Sequence, residues 1–387
     1  FPSPKPAQGG QYGEFSYTLE GSTITITDFA GSGEMIIPDM IGGLPVTTLG
    51  DSAFSWHGSL TSVRIPGSVT TIESWAFFGC SGLFEIEIPD SVWFIGDGAF
   101  AGCNALTAIT VDDSNLAYSS LDGVLFDFSQ TKLIQCPAGK TGSYAIPASV
   151  KRIGYQAFRD CDRLTQITIP NGVTHIEMLA FTGCSGLTGI EIPQSLVYIE
   201  QEAFAVCPNL TTFTVDPLNT SFDSLDDVLF SRSRDTLVAY PNGKAGSYTI
   251  PSSVVSIKDW AFRDCNMLTS ITIPNGVLSI GRYAFALCDR LASVVIPQSV
   301  TSIGDGAFSE CANLTAITVD PLNSAYSSLD GVLFDRNRSL LMQCPGAKTG
   351  SYVVPNGVTG IEGGAFSSCT GLTDVTIPDS VESIGAS

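Results

Sequence analysis

One spacing governs what this chain can become. A proline closes an Ile-x-Ile-like run at Pro38, Pro66, Pro89, Pro147, Pro170, Pro193, Pro251, Pro274, Pro297, Pro355 and Pro378, mostly 23 residues apart. In the three long gaps, Asp112, Asp216 or Asp320 stands where the next proline is due. The pattern therefore repeats every 104 residues, as three turns of 23 and one of 35. A repeat this short cannot bury its own apolar side chains and must stack on its neighbours.

One unit shows what each turn buries. Leu268, Ile271 and Ile273 precede Pro274, Val277 and Ile280 follow it, and Ala284, Phe285 and Cys288 close the unit. Alternation at Ile271 and Ile273 predicts a short strand with one buried face. Pro274 has no backbone donor and ends that strand. Ala284, Phe285 and Cys288 have the spacing of a short helical turn. The expected fold is a β-rich right-handed coil of parallel short strands with short helical turns, about fourteen turns in all.

The 35-residue turns add Asp-x-Val-Leu-Phe and a second apolar run, at Val124–Phe126 and Leu133–Cys136 in the first copy. They predict three β-hairpins projecting from the coil, near 112–147, 216–251 and 320–355. Residues 1–34 are expected to form an N-terminal segment with a capping hairpin over Phe15–Thr27, and residues 35–387 a continuous solenoid. The start, Phe1 to Pro6, lacks the apolar core of a signal peptide and reads as the exposed beginning of a mature chain. The last turn stops at Ser387, before its Ala-Phe, so end-to-end self-association is the alternative to a monomeric scaffold.

The unit Leu-Thr-Ser-Ile-Thr-Ile-Pro, then Ser-Ile-Gly, Ala-Phe and Cys, resembles the BspA-like leucine-rich repeat, over roughly residues 35–387. That resemblance implies a leucine-rich-repeat solenoid on a bacterial or protozoan surface, used for adhesion or binding. It carries over no functional residues.

Composition narrows the function. The chain has 38 acidic and 18 basic side chains, a net charge of −20, and no basic cluster. Such a surface repels nucleic acid and anionic lipid. No run of 18 apolar residues predicts a transmembrane helix. The expected partner is a protein or glycan at an extracellular surface, with no nucleic acid, membrane insertion, cofactor or metal.

Polar constellations are weak. Nine of eleven cysteines sit three residues after the repeat phenylalanine, and Cys136 and Cys344 correspond to Tyr240, so they read as buried free thiols. His57 and His175 are isolated. Glu85 and Glu87 point outward from one strand, and Arg64 one turn earlier is the expected ion partner of Glu87. Asp112, Asp113, Asn115 and Asp122, with their copies, read as turn caps, with calcium the alternative. Four Asn-x-Ser/Thr sequons occur, at Asn209, Asn219, Asn313 and Asn337. Outward threonines such as Thr110, Thr168 and Thr272 suit exposed strands.

The aromatic residues depart from the repeat. Trp56, Trp75, Phe78, Phe84, Trp93 and Phe94 occupy variable positions that elsewhere hold small or polar residues. They form the candidate partner-contact surface, unless they pack on one another or under the N-terminal segment. No catalytic residue is expected.

Overall fold

Alternation in the Ile-x-Ile runs produces strands with one wet and one dry face. In Glu85–Ile88, Ile86 and Ile88 are buried while Glu85 and Glu87 face solvent. The proline after each strand starts a tight turn: the Val69 amide donates to the Pro66 carbonyl and the Val173 amide to the Pro170 carbonyl. A second, two-residue strand follows, such as Thr71–Ile72. The computed structural model describes residues 9–386; the Phe1–Pro6 start and Ser387 lie outside them.

The chain divides into two units. One runs to Leu187 and also takes Tyr198–Phe204; the other comprises Thr188–Val197 and the chain from Ala205 onward.

In the first unit, Gly33–Ile36, Leu60–Arg64, Glu85–Ile88 and Ala108–Val111 form a parallel sheet. The short second strands stack beside them at the repeat spacing, Leu49 on Ile72 and Ile72 on Ile95. Phe15–Glu20 and Thr23–Phe29 form an antiparallel hairpin, and the latter strand pairs parallel with Leu44–Leu49. The N-terminal strands thus join the stack, and the described residues make about sixteen turns rather than fourteen.

The second unit repeats the design, with Ile257, Ile280 and Ile303 in register. Within each unit the buried phenylalanines form a ladder. Phe54 and Phe77 are 4.9 Å apart in the first, and Phe262 and Phe285 4.7 Å in the second, with near-parallel rings.

Two expectations are corrected. The Ala-Phe segments are not helical; no helix occurs among the described residues. Each contains two residues with left-handed backbone, one before the alanine and one two after the phenylalanine. Examples are Gln156 and Asp160, Tyr283 and Leu287, and Glu310 opposite Gly306. A right-handed helix cannot run through such residues. The amides turn outward along the stack instead: Phe158 N–H donates to Ala180 C=O one turn on, at 2.7 Å.

The insertions contain the expected antiparallel pair, but it does not project. Each is a three-stranded meander, in the first copy Tyr118–Leu121, Val124–Asp127 and Lys132–Gln135. Val124, Leu125 and Phe126 are buried, and Lys132–Gln135 pairs parallel with Arg152–Ile153. The insertion is therefore a widened turn within the core. Tyr118–Leu121 escaped the sequence reading because Tyr-Ser-Ser-Leu carries little apolar signal.

Candidate functional site

The left-handed slots of each turn decide where the aromatic side chains go. Trp56 occupies the second slot of its turn (φ 65°) and Trp75 the first slot of the next (φ 56°). In both cases the same slot one turn on holds a left-handed glycine, Gly79 or Gly98. The indoles lie against those glycines. A Cβ on Gly79 would come within 2.7 Å of the Trp56 ring, and one on Gly98 within 2.6 Å of the Trp75 ring. Phe78 lies between them, its ring centroid 5.0 Å from that of Trp56 and 6.2 Å from that of Trp75. The Arg159 guanidinium sits 5.0 Å over Phe78 and is held by Asp160 at 3.3 Å. Trp56 is 74% exposed and Trp75 43%, while Phe78 is half-buried.

The other three aromatic residues stand apart from this trio. Trp93 and Phe94 form a second pair, 6.2 Å between centroids, at the short strand Phe94–Ile95. Phe84 is exposed just before the strand Glu85–Ile88. The six predicted contact residues therefore occupy three patches of the first unit. The N-terminal strands pack elsewhere, Phe15 on Phe29 and Phe29 on Phe54.

Beside the trio lies a hollow of about 420 Å³, lined by Asp51, Ser74, Trp75, Asp97, Tyr155 and Met178. Burial pushes the Tyr155 phenol up, with the nearby carboxylates of Asp97 and Glu202 adding to the effect and Arg159 opposing it. The Asp51 amide donates to the Glu73 carboxylate at 2.8 Å.

A second, larger concavity of about 590 Å³ lies along the outer strand face, with Arg64, Glu85, Glu87, Thr110 and Asp112 among its walls. The expected ion pair between Arg64 and Glu87 is absent among the described residues. Both side chains reach into solvent, where an ion pair gains too little to order them. Glu85 and Glu87 are both exposed, and neither has the burial that raises a carboxyl into an acid's range.

The remaining polar candidates have structural work. The Cys80 thiol donates to the Phe54 carbonyl at 3.0 Å, and Cys184, Cys288 and Cys311 make the same bond in their turns. None of the eleven cysteines is in a disulfide, and all are buried. His57, in the cysteine slot, bonds the Phe29 carbonyl through Nε2 and so does the same job. His175 pairs with the Thr174 hydroxyl at 2.9 Å. Asn219 donates to the Pro193 and Leu196 carbonyls and accepts from the Ser221 and Phe222 amides; Asn115 and Asn323 repeat the arrangement. Its sequon is thereby closed to a glycan. Asp112, Asp216 and Asp320 cap the same loops. Among the described residues no three His, Cys, Asp or Glu side chains converge as metal ligands.

One aromatic stack escaped the sequence reading. Trp260 and Tyr283 lie face to face at 4.3 Å in the second unit, with Arg263 4.7 Å over Trp260 and Arg282 6.0 Å from the Tyr283 ring. Tyr283 covers Gly306 as Trp75 covers Gly98. An aromatic residue followed 23 positions later by glycine was the available signal.

Comparison with known proteins agrees with this architecture. The family model of the BspA type leucine rich repeat region matches residues 47–144, 138–245, 237–340 and 343–387. A leucine rich cell surface protein from Faecalibacterium prausnitzii A2-165 is 27% identical, with a TM-score of 0.50 over 97% of this chain and 96% of that one. A leucine-rich repeat protein from Eubacterium ventriosum is 20% identical (TM-score 0.49, covering 97% and 91%). The pneumococcal vaccine antigen PcpA is 18% identical (TM-score 0.44, covering 96% and 99%). No curated protein matches. No helix among the described residues is long and apolar enough to cross a membrane. The repeat spacing, the stacked parallel strands and the family match together place the chain in the BspA type leucine-rich-repeat family.

Proposed function

We propose that this protein is a non-catalytic binding or adhesion scaffold at a cell surface, contacting a protein or glycan partner through the aromatic patches of its first unit. One observation carries the reading: three of the four tryptophans, Trp56, Trp75 and Trp93, stand substantially in solvent within neighbouring turns. Exposed aromatic groups of this size cost solubility, and they are the side chains that dominate binding energy when covered. Phe78, Phe84 and Phe94 extend the patches. The 27% identical relative is itself called a cell surface protein. The acidic surface argues against nucleic acid as the partner.

The test is solid-phase binding to a panel of extracellular proteins and glycans. The variant combines Trp56→Gly, Trp75→Gly and Trp93→Ala. Glycine suits the two left-handed slots, so the backbone is retained. The variant is expected to bind its partner at least about tenfold more weakly, since hot-spot truncations cost about 2 kcal/mol or more. Phe84→Ala and Phe94→Ala then rank the remaining patches. Undiminished binding by the triple variant would overturn the reading.

A further inference from the structure

The 104-residue period allows one turn to be compared with its own copies. Asp51, Ser74 and Asp97 occupy the same slot in three successive turns, just after the second strand. Two super-repeats later the same positions hold Asp259, Arg282 and Asp305. The intermediate copy has Tyr155, Met178 and Gln201 and no carboxylate. The first and third copies therefore share a frame of two aspartates, and they differ in what stands between them.

In the third copy an arginine stands between the two aspartates and reaches one of them with its side chain. The Arg282 amide donates to Asp259 Oδ1 at 2.8 Å, and its Nε lies 3.6 Å from Asp305 Oδ2. Its guanidinium carbon is 6.0 Å from the centroid of Tyr283, the residue that matches Trp75. Glu362 also faces Asp305 there.

In the first copy Ser74 replaces the arginine, and the space is the hollow of about 420 Å³ walled by Asp51, Trp75, Asp97, Tyr155 and Met178. Asp51 and Asp97 are exposed, and the Glu73 carboxylate is anchored on the Asp51 amide. The nearby Arg159 is engaged with Phe78 and Asp160. The hollow thus has carboxylates on two sides and an indole on a third, with no cation of its own among the lining residues.

We infer that this hollow receives the guanidinium of an arginine on a basic segment of a partner protein, in the place that the third super-repeat fills with Arg282. The inference rests on the proposed binding function and names the chemistry of its partner. A guanidinium can bond carboxylates bidentately and lie flat on an indole, and it does both better than an ammonium. A neutral sugar could stack on Trp75 but would leave both aspartates without a counter-charge. The net charge of −20 favours the approach of basic segments.

The experiment titrates the full chain at low salt with a blocked peptide, acetyl-Gly-Arg-Gly-Arg-Gly-amide, by calorimetry. The control peptide carries citrulline, which keeps the shape and removes the charge. Binding to the arginine peptide is expected, with at least about tenfold weaker binding of the citrulline form, the loss of a charge-assisted bond. Ser74→Arg, which copies the third super-repeat and fills the hollow from within, and Asp97→Asn should each weaken binding about tenfold. Asp305→Asn should leave it unchanged. Melting temperatures of both first-copy variants verify their folding, and either variant alone is decisive.

The inference is overturned by equal binding of the two peptides, by parental affinity in Ser74→Arg or Asp97→Asn, or by no saturation below about 10 mM peptide. It is overturned equally if a neutral oligosaccharide binds and Ser74→Arg displaces it. Trp56→Gly and Trp93→Ala lie outside the hollow. Loss of adhesion in those variants, with no peptide binding, would leave the wider binding surface standing and remove only the arginine site.

Discussion

At the scale of single residues, the repeat explains side chains that would otherwise suggest chemistry. His57 is a cysteine substitute: its Nε2 takes the carbonyl of Phe29 as Cys80 takes that of Phe54. The buried asparagines Asn115, Asn219 and Asn323 use both amide hydrogens and the carbonyl oxygen on loop backbone. Unsatisfied loop amides and carbonyls in the core would cost far more than the asparagine does. Glu362 is the exception, since its environment opposes its charge. Burial and the neighbouring Asp305 push its carboxyl up to about 7. A raised carboxyl contributes stability that is fully present below its unfolded value near 4.5 and is lost as pH rises through about 7. Melting temperature should therefore fall between pH 5 and pH 7.5, and Glu362→Gln should flatten that fall. An unchanged slope in the variant would exclude Glu362 as its source.

At the scale of elements, each turn is defined by what it offers its neighbours. The phenylalanines are the largest fully buried side chains, and the rings inside each ladder are stacked on both sides. Phe285 lies 4.7 Å from Phe262 and 5.4 Å from Phe308. Phe285→Ala should cost about 3–5 kcal/mol, the range for a large ring removed from a rigid core. Urea denaturation of the variant checks this, and a loss below about 1 kcal/mol would mean the ladder collapses to fill the gap. Backbone ladders hold the turns in register between the rings. Left-handed residues at Leu179, Val206 and Leu287 are the local cost, since bulky side chains disfavour that backbone. Their turns accept it because it points the Phe amide at the next turn's carbonyl, as in Phe181 to Ala203.

At the scale of the molecule, two properties follow from the stacked turns. Eleven thiols are buried, and none is in a disulfide. Burial pushes the thiol of Cys265 up, far from the reactive thiolate. A thiol reagent should label at most Cys369 in the native protein, the most exposed of the set at 9%. All eleven should react after denaturation without reductant; fewer would reveal a disulfide. The other property is the division between core and surface. Apolar repeat positions face inward, so the net charge of −20 and departures from the repeat such as Trp56 and Trp93 are displayed outward.

The sequence by itself determined the solenoid, the strands and the inward residues. A fixed period makes residues 23 apart spatial neighbours, so burial in one turn implies burial in the next; Ile72 beside Ile95 could be inferred before any coordinates. Cysteine burial was legible for the same reason. The tertiary structure alone decided the path of the Ala-Phe segments, because Trp56, Trp75 and Leu179 enter left-handed backbone only under the pull of ladder bonds to adjacent turns. It also decided that Trp56, Trp75 and Phe78 meet, while Trp93 and Phe94 pair apart from them and Phe84 stands alone. Sequence spacing places a residue in a turn, but the direction its side chain leaves depends on backbone angles that neighbouring turns impose.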